Sequence, residues 1–144
     1  MGPREPCRGD RPRAGHRLTR VVVDSTFLID HLRGLPDAQD RWAELFERGD
    51  HPVATSIVTC EIRAGLRDPD VSVLERLLRP MEFVQPGVKT SMLAGRWRAE
   101  LRRHGRALSL ADALIAATAF HLDAAVLTRN VRDFSLTPVR IETY

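Results

Sequence analysis

Four carboxylates stand at positions where a soluble sequence has no ordinary need of them. Asp24 ends the apolar run Val21–Val23. Asp112 lies in a segment, Leu110–Leu122, whose only other non-apolar residues are Thr118 and His121. A helix apolar nearly all round is a buried helix, and a lone buried charge is expensive, so Asp112 needs a partner. Glu61 sits mid-helix in SIVTCEIRAGL, among Ile57, Val58, Cys60 and Ile62. The residues four before and four after it are Ile57 and Gly65, so no i,i+4 basic partner is available. Asp133, in LTRNVRDF, follows the last clear strand. Each has a plainer account. Asp24 would serve a helix N-terminus, Asp112 would close an S-x-x-D capping box with Ser109, Glu61 would face solvent, and Asp133 would start a turn. Gathered into one site, however, four carboxylates repel. Either their pKa values rise or a divalent cation sits among them. Oxygen donors without a His or Cys set favour Mg²⁺ or Mn²⁺ over Zn²⁺. An acid-only metal cluster in a small α/β domain points to phosphodiester hydrolysis.

Around the acids lie polar and basic residues with two readings. Ser25, Thr26, Thr128 and Asn130 are placed to orient a ligand or phosphate, and equally to cap helices and shape turns. Arg96, Arg98, Arg102, Arg103 and Arg106 cluster on and just after one helix, and Arg129 and Arg132 precede the last acid. They would attract a polyanion to an acidic pocket, with an affinity that falls steeply with salt, or form a solvated helix face. Five histidines, His16, His31, His51, His104 and His121, share no ligand spacing. Cys7 and Cys60 build neither a disulfide scaffold nor a zinc site, and a reducing, cytosolic compartment is the simplest reading. Trp42, Phe46, Trp97 and Phe120 fall on helical stripes and read as core or partner-contact residues.

The elements that must position these residues alternate. Val21–Val23 suits a strand buried on both faces, as in a parallel sheet. A helix follows, capped by Ser25 or Thr26, with Leu28, Ile29 and Leu32 at helical spacing, and a second is expected from Asp37 to Arg48. Strand 52–55 precedes a helix from about Ser56 to Leu66, and Leu74, Leu77 and Leu78 mark a short helix. Met81–Val84 reads as a strand between Pro80 and Pro86. A longer helix is expected over Val88–His104, broken by Gly105. Another follows over Leu110–Leu122, then strand Ala124–Thr128 and a last strand at Val139–Ile141. This alternation predicts an α/β domain with a mostly parallel central sheet flanked by helices. In such a sheet ligands bind beyond the carboxyl ends of the strands, where Asp24 falls.

The composition sets the outer bounds. The chain has 144 residues, a length for one domain. With 43% hydrophobic and 28% charged residues it has enough apolar surface for a core, which excludes wholesale disorder. No apolar run reaches the ~18 residues of a membrane helix. The net charge of +3 is uneven. Residues 1–20 hold six arginines against two acids, and the rest holds 16 basic against 17 acidic residues. Residues 1–20 are therefore expected to be a disordered basic extension without an apolar signal region, and 21–144 the folded domain. The absence of G-x-G-x-x-G and G-x-x-x-x-G-K-[ST] disfavours a nucleotide-binding Rossmann domain. A phosphoryl-accepting receiver domain would need adjacent acids after the first strand and an opposing lysine, and the one lysine is Lys89.

In four stretches the chain resembles the PIN-domain ribonucleases, and most closely the VapC toxins of bacterial toxin–antitoxin pairs. They are VVVDSTFLID (21–30), VATSIVTCEIRAGL (53–66), SLADALIAATA (109–119) and VLTRNVRDF (126–134). Their order and spacing over roughly 21–143 match as well. The resemblance implies a single PIN-like α/β domain whose acidic site is Asp24, Glu61, Asp112 and Asp133. Some PIN proteins carry Asp where this chain has Asn130, which leaves Asp133 as the remaining acid. It further implies Mg²⁺-dependent cleavage of RNA, with Mn²⁺ as substitute, a small cognate antitoxin, homodimers and a cytoplasmic setting. Asp24 and Asp112 would be the principal metal ligands, with Glu61 and Asp133 completing the cluster. Ser25, Thr128 and Asn130 would orient ligand or phosphate, and Arg96, Arg102, Arg103 and Arg129 would touch RNA. The alternative is a catalytically inactive PIN-like domain that binds RNA or a partner.

Overall fold

Val21, Val22 and Val23 have no exposed surface, and the sheet is built around them. The structure is a computed structural model and describes residues 19–144. Residues 1–18, most of the basic extension expected from the sequence, lie outside the described residues. Strand β1 spans Arg20–Val23, β2 His51–Thr55, β3 Glu82–Val84, β4 Ala125–Leu127 and β5 Ile141–Glu142. All pair in parallel, in the order β3-β2-β1-β4-β5. Parallel pairing needs crossovers, and seven helices among the described residues supply them. Helices α1 (Ser25–Leu32) and α2 (Pro36–Glu47) join β1 to β2. Helix α3 (Ser56–Gly65), a 3₁₀ turn at Asp68–Asp70 and α4 (Val71–Leu78) join β2 to β3. Helices α5 (Val88–Arg103) and α6 (Leu110–His121) lead to β4, and α7 (Val131–Phe134) leads to β5.

The expected alternation holds, with ends shifted by a residue or two. Two details differ. Ser25 and Thr26 do not cap α1, because they are already its first two residues and Asp24 occupies the N-cap position. The short helix α7 takes the place of the turn expected at Asp133. Four residues are too few for a periodic apolar signal.

The strand order reverses between β1 and β4. Val23 pairs with Leu127, so the next residue of each strand, Asp24 and Thr128, emerge side by side at the carboxyl edge. The Asp24 amide donates to Leu127 O at 3.0 Å and ties the two ends together. Helix α6 packs on α5, α3, β1 and β4, and Ala113, Ile115, Ala116, Ala117 and Ala119 bury its nearly continuous apolar surface. A helix between parallel strands runs back along the sheet, so its first turn lies at the carboxyl edge. Asp112 is in that turn.

Candidate active site

Asp24 is 2% exposed, and its side chain makes no hydrogen bond to the α1 backbone. The capping role open to it is therefore not the one it fills. Its Oδ2 accepts from Thr128 Oγ1 at 2.7 Å and from Thr26 Oγ1 at 2.9 Å. Each hydroxyl has one proton, and each also accepts a backbone amide. Arg129 N donates to Thr26 Oγ1 at 3.2 Å and Asn130 N to Thr128 Oγ1 at 2.9 Å. Two backbone amides thus set two hydroxyls, and the hydroxyls set one carboxylate oxygen. The other oxygen, Oδ1, is met by Ser25 Oγ at 3.5 Å, the outer limit of a hydrogen bond. It keeps acceptor capacity for another ligand.

Asp112 holds both roles the sequence left open. Its amide donates to Ser109 Oγ at 3.0 Å, so Ser109 is the N-cap of α6. Its carboxyl group is raised from an ordinary 3.8 to about 6. Burial is the largest cause, a hydrogen bond with Ser109 opposes it, and the charges of Asp24, Asp133 and Glu61 each raise it further. All three other acids act on this group through space, although they come from different elements. The Asn130 amide lies between two of them. Its Nδ2 donates to Asp133 Oδ2 at 3.0 Å and reaches Asp112 Oδ2 at 3.5 Å. Helix α7 brings Asp133 to this position. Glu61 is exposed on α3 and lines a cavity of about 410 Å³ with Ile29, Leu32, Arg33 and Leu66.

The donor set is oxygen only, which suits a hard dication. Among the described residues no three His, Cys, Asp or Glu side chains close on a single point. That arrangement fits an ion such as Mg²⁺, which binds through one or two carboxylates and keeps several waters.

The arginines divide. Arg129 Nη1 pairs with Asp30 Oδ2 at 2.7 Å, and Arg98 Nε donates to Leu108 O at 3.0 Å. Arg129, expected from the sequence to touch RNA, makes this pair while more than half of its side chain stays exposed. Arg96, Arg102, Arg103, Arg106 and Arg132 are exposed or half-buried and form no ion pair among the described residues. Asp30 is a residue sequence reasoning missed. It is 1% exposed and also accepts from the Tyr144 hydroxyl at 2.7 Å. Tyr144 is held well above its ordinary value by burial first and then by the hydrogen bond and charge of Asp30. The signal was available, since Asp30 lies three residues after Phe27 on the inward stripe of α1.

With this geometry in hand, comparison with known proteins gives one consistent outcome. The PIN domain family matches residues 21–138. Ribonuclease VapC19 of Mycobacterium tuberculosis is 35% identical over 117 residues, covering 81% of this chain and 94% of its own. Ribonuclease VapC10 of the same organism is 39% identical over 120 residues, covering 81% and 86%. Among solved structures, VapBC2 from Rickettsia felis bound to a DNA fragment from its promoter aligns with a TM-score of 0.77. It is 23% identical, covering 88% of this chain and 99% of the matched one, a likeness of fold.

Proposed function

The chain belongs to the PIN-domain family, among the VapC ribonucleases, and on that premise we propose that it is a metal-dependent endoribonuclease, the toxin of a type II toxin–antitoxin pair. The observation that carries the reading is geometric: at the carboxyl edge where the strand order reverses, Asp24 has one oxygen fixed by Thr26 and Thr128 and the other left open, and Asn130 reaches both Asp112 and Asp133, with the Asp112 carboxyl group raised by burial and by its acidic neighbours. Ligands of open α/β sheets bind at such an edge, and a cluster of acids there is stable at neutral pH only with countercharge.

Asp24 and Asp112 would hold the cation, with Mg²⁺ the first expectation and Mn²⁺ a substitute, and Glu61 and Asp133 would complete the cluster through water. When bound, such an ion supplies charge compensation and makes a water acidic enough to attack at neutral pH. The chain's own residues orient. Thr26 and Thr128 fix one oxygen of Asp24 and leave the other open. Asn130 keeps the Asp112 and Asp133 carboxylates apart from direct contact by placing an N–H donor between them. Water adds at phosphorus and the bond to the 3′ oxygen breaks, that oxygen taking a proton. The products are a 5′-phosphate and a 3′-hydroxyl.

A protein partner is part of the proposal. Structures of similar fold include a toxin–antitoxin complex from Klebsiella pneumoniae and a member of the VapBC family of toxin–antitoxin systems from Mycobacterium tuberculosis, and Phe83, Val88, Met92 and Phe120 are exposed large apolar side chains here. A cognate antitoxin and a second copy of the chain are the two partners expected to cover such residues. None of the described helices is long and apolar enough to cross a membrane.

The test is incubation of purified protein with total RNA, with Mg²⁺ or with chelator, beside Asp24→Asn and Asp112→Asn. Cleavage by the parent with Mg²⁺ alone, lost in both variants, is expected. Equal cleavage by the variants, or products ending in 2′,3′-cyclic phosphate, would overturn the assignment. The second reading is an RNA- or partner-binding domain without turnover. Metal affinity without any cleavage would select it.

A further inference from the structure

Four acids repel RNA, so a nuclease built on them needs a path on which phosphates are attracted. Beside Asp133 runs a trough of about 510 Å³ lined by Gly105, Arg106, Ala107, Arg132, Ser135 and Asp133 itself. It shares Arg106 and Leu136 with a neighbouring cavity of about 610 Å³, lined also by Trp97, Glu100, Leu101, His104 and Pro138. The two adjoin at Arg106 and Leu136, and of the four acids only Asp133 lines either.

Both arginines in the trough are exposed, and neither forms an ion pair or a side-chain hydrogen bond among the described residues. That distinguishes them from Arg129 and Arg98, whose guanidinium groups are engaged within the fold. The backbone fixes where Arg106 starts. Helix α5 ends in a Schellman turn, with Gly105 N donating to Arg102 O at 3.1 Å and Arg106 N to Leu101 O at 2.9 Å. Gly105 has φ +70°, the left-handed conformation that turn requires. Arg132 sits in α7 next to Asp133, so its charge arrives with the acid it flanks. Arg96, Arg102 and Arg103 do not line the trough.

We propose that this trough is the RNA-backbone site, with Arg106 and Arg132 binding the phosphates of a single strand on the Asp133 side of the acids. The proposal rests on the nuclease reading for its substrate class and goes beyond it in naming the side of entry and the two residues.

Binding of a fluorescein-labelled single-stranded RNA of mixed sequence is measured by anisotropy over a series of salt concentrations, in chelator so that nothing is cut. Arg106→Ala and Arg132→Ala are each expected to weaken binding several-fold. Each also lowers the slope of log affinity against log salt by about 0.7, the value for one phosphate contact on a single strand. Arg132→Lys keeps the slope, and Arg76→Ala on α4 leaves affinity unchanged. Cleavage with Mg²⁺ then shows a raised KM with kcat retained in the two alanine variants. Unchanged affinity and slope in both, or loss only in Arg102→Ala and Arg103→Ala, overturns the proposal while leaving the nuclease reading intact. Trough-dependent binding with no cleavage supports the trough and overturns the nuclease reading instead. A parent protein with no RNA affinity overturns the trough.

Discussion

At the scale of single residues, Asp112 gives the sharpest expectation. Its carboxyl group is raised to about 6 on folding, from an ordinary 3.8. The folded state therefore binds this proton more tightly than the unfolded chain does. Between those values stability falls as pH rises, because the folded state must give up a proton it holds more firmly. Metal-free Asp112→Asn lacks that fall. Its melting temperature should exceed that of the parent above pH 6 and match it most closely at the acid end, while cleavage drops to background. Calorimetry across the interval checks the first part and the RNA assay the second. Thr128 is the second case. It is fully buried and gives its proton to Asp24. Thr128→Val keeps shape and removes the donor, so metal affinity or activity should fall about 10–100-fold, the usual cost of losing a group that orients a ligand. Titration calorimetry with Mn²⁺ and the cleavage rate both report it. The sequence singled out Thr128 and Asp24 separately, but nothing in their spacing of over a hundred residues shows that one holds the other.

At the scale of elements, the Asp30–Arg129 pair joins α1 to the segment leaving β4, and Arg129 N on the same residue supports Thr26. Truncating Arg129 to alanine leaves Asp30 buried with the Tyr144 hydroxyl as its remaining donor. The expected loss is about 2–3 kcal/mol by urea unfolding, below the range for a fully buried pair because the guanidinium is over half exposed. An unchanged midpoint would show that the pair contributes nothing. The α5 terminus offers a separate check. Gly105→Ala forces a Cβ into the left-handed region, which costs about 1–2 kcal/mol. Its melting temperature should fall by about 2–8 °C. Most elements were legible because their apolar periods are long enough to read: three valines for β1, and a nearly all-apolar run for α6. Helix α7 was not legible, and neither was the Arg129 role. A single turn has no period, and an exposed arginine looks the same in sequence whether it meets a phosphate or an aspartate.

At the scale of the whole molecule, the core and the site draw on different residues. The core is Val21, Val22, Val23, Val53 and Val126 of the sheet with Phe27, Leu45, Ile115 and Phe134, all without exposed surface. No part of it depends on the acidic cluster. Chelator should therefore abolish cleavage and leave the far-ultraviolet circular dichroism unchanged, whereas a fold that needed the ion would lose both together. Composition, periodicity and acids set at strand and helix ends or, for Glu61, amid apolar residues of a helix determined the α/β class, the parallel sheet and the identity of four candidate carboxylates. Local chemistry suffices for those, since each depends on neighbours a few residues away. Only the tertiary structure decided that the Asp24 side chain is held by hydroxyls instead of capping its helix, that the three other acids all act on Asp112, and which arginines form no ion pair among the described residues. Those outcomes turn on the β1–β4 reversal and on contacts across long stretches of chain. Distance in space, which sets every one of them, is not written in the spacing of residues along the chain.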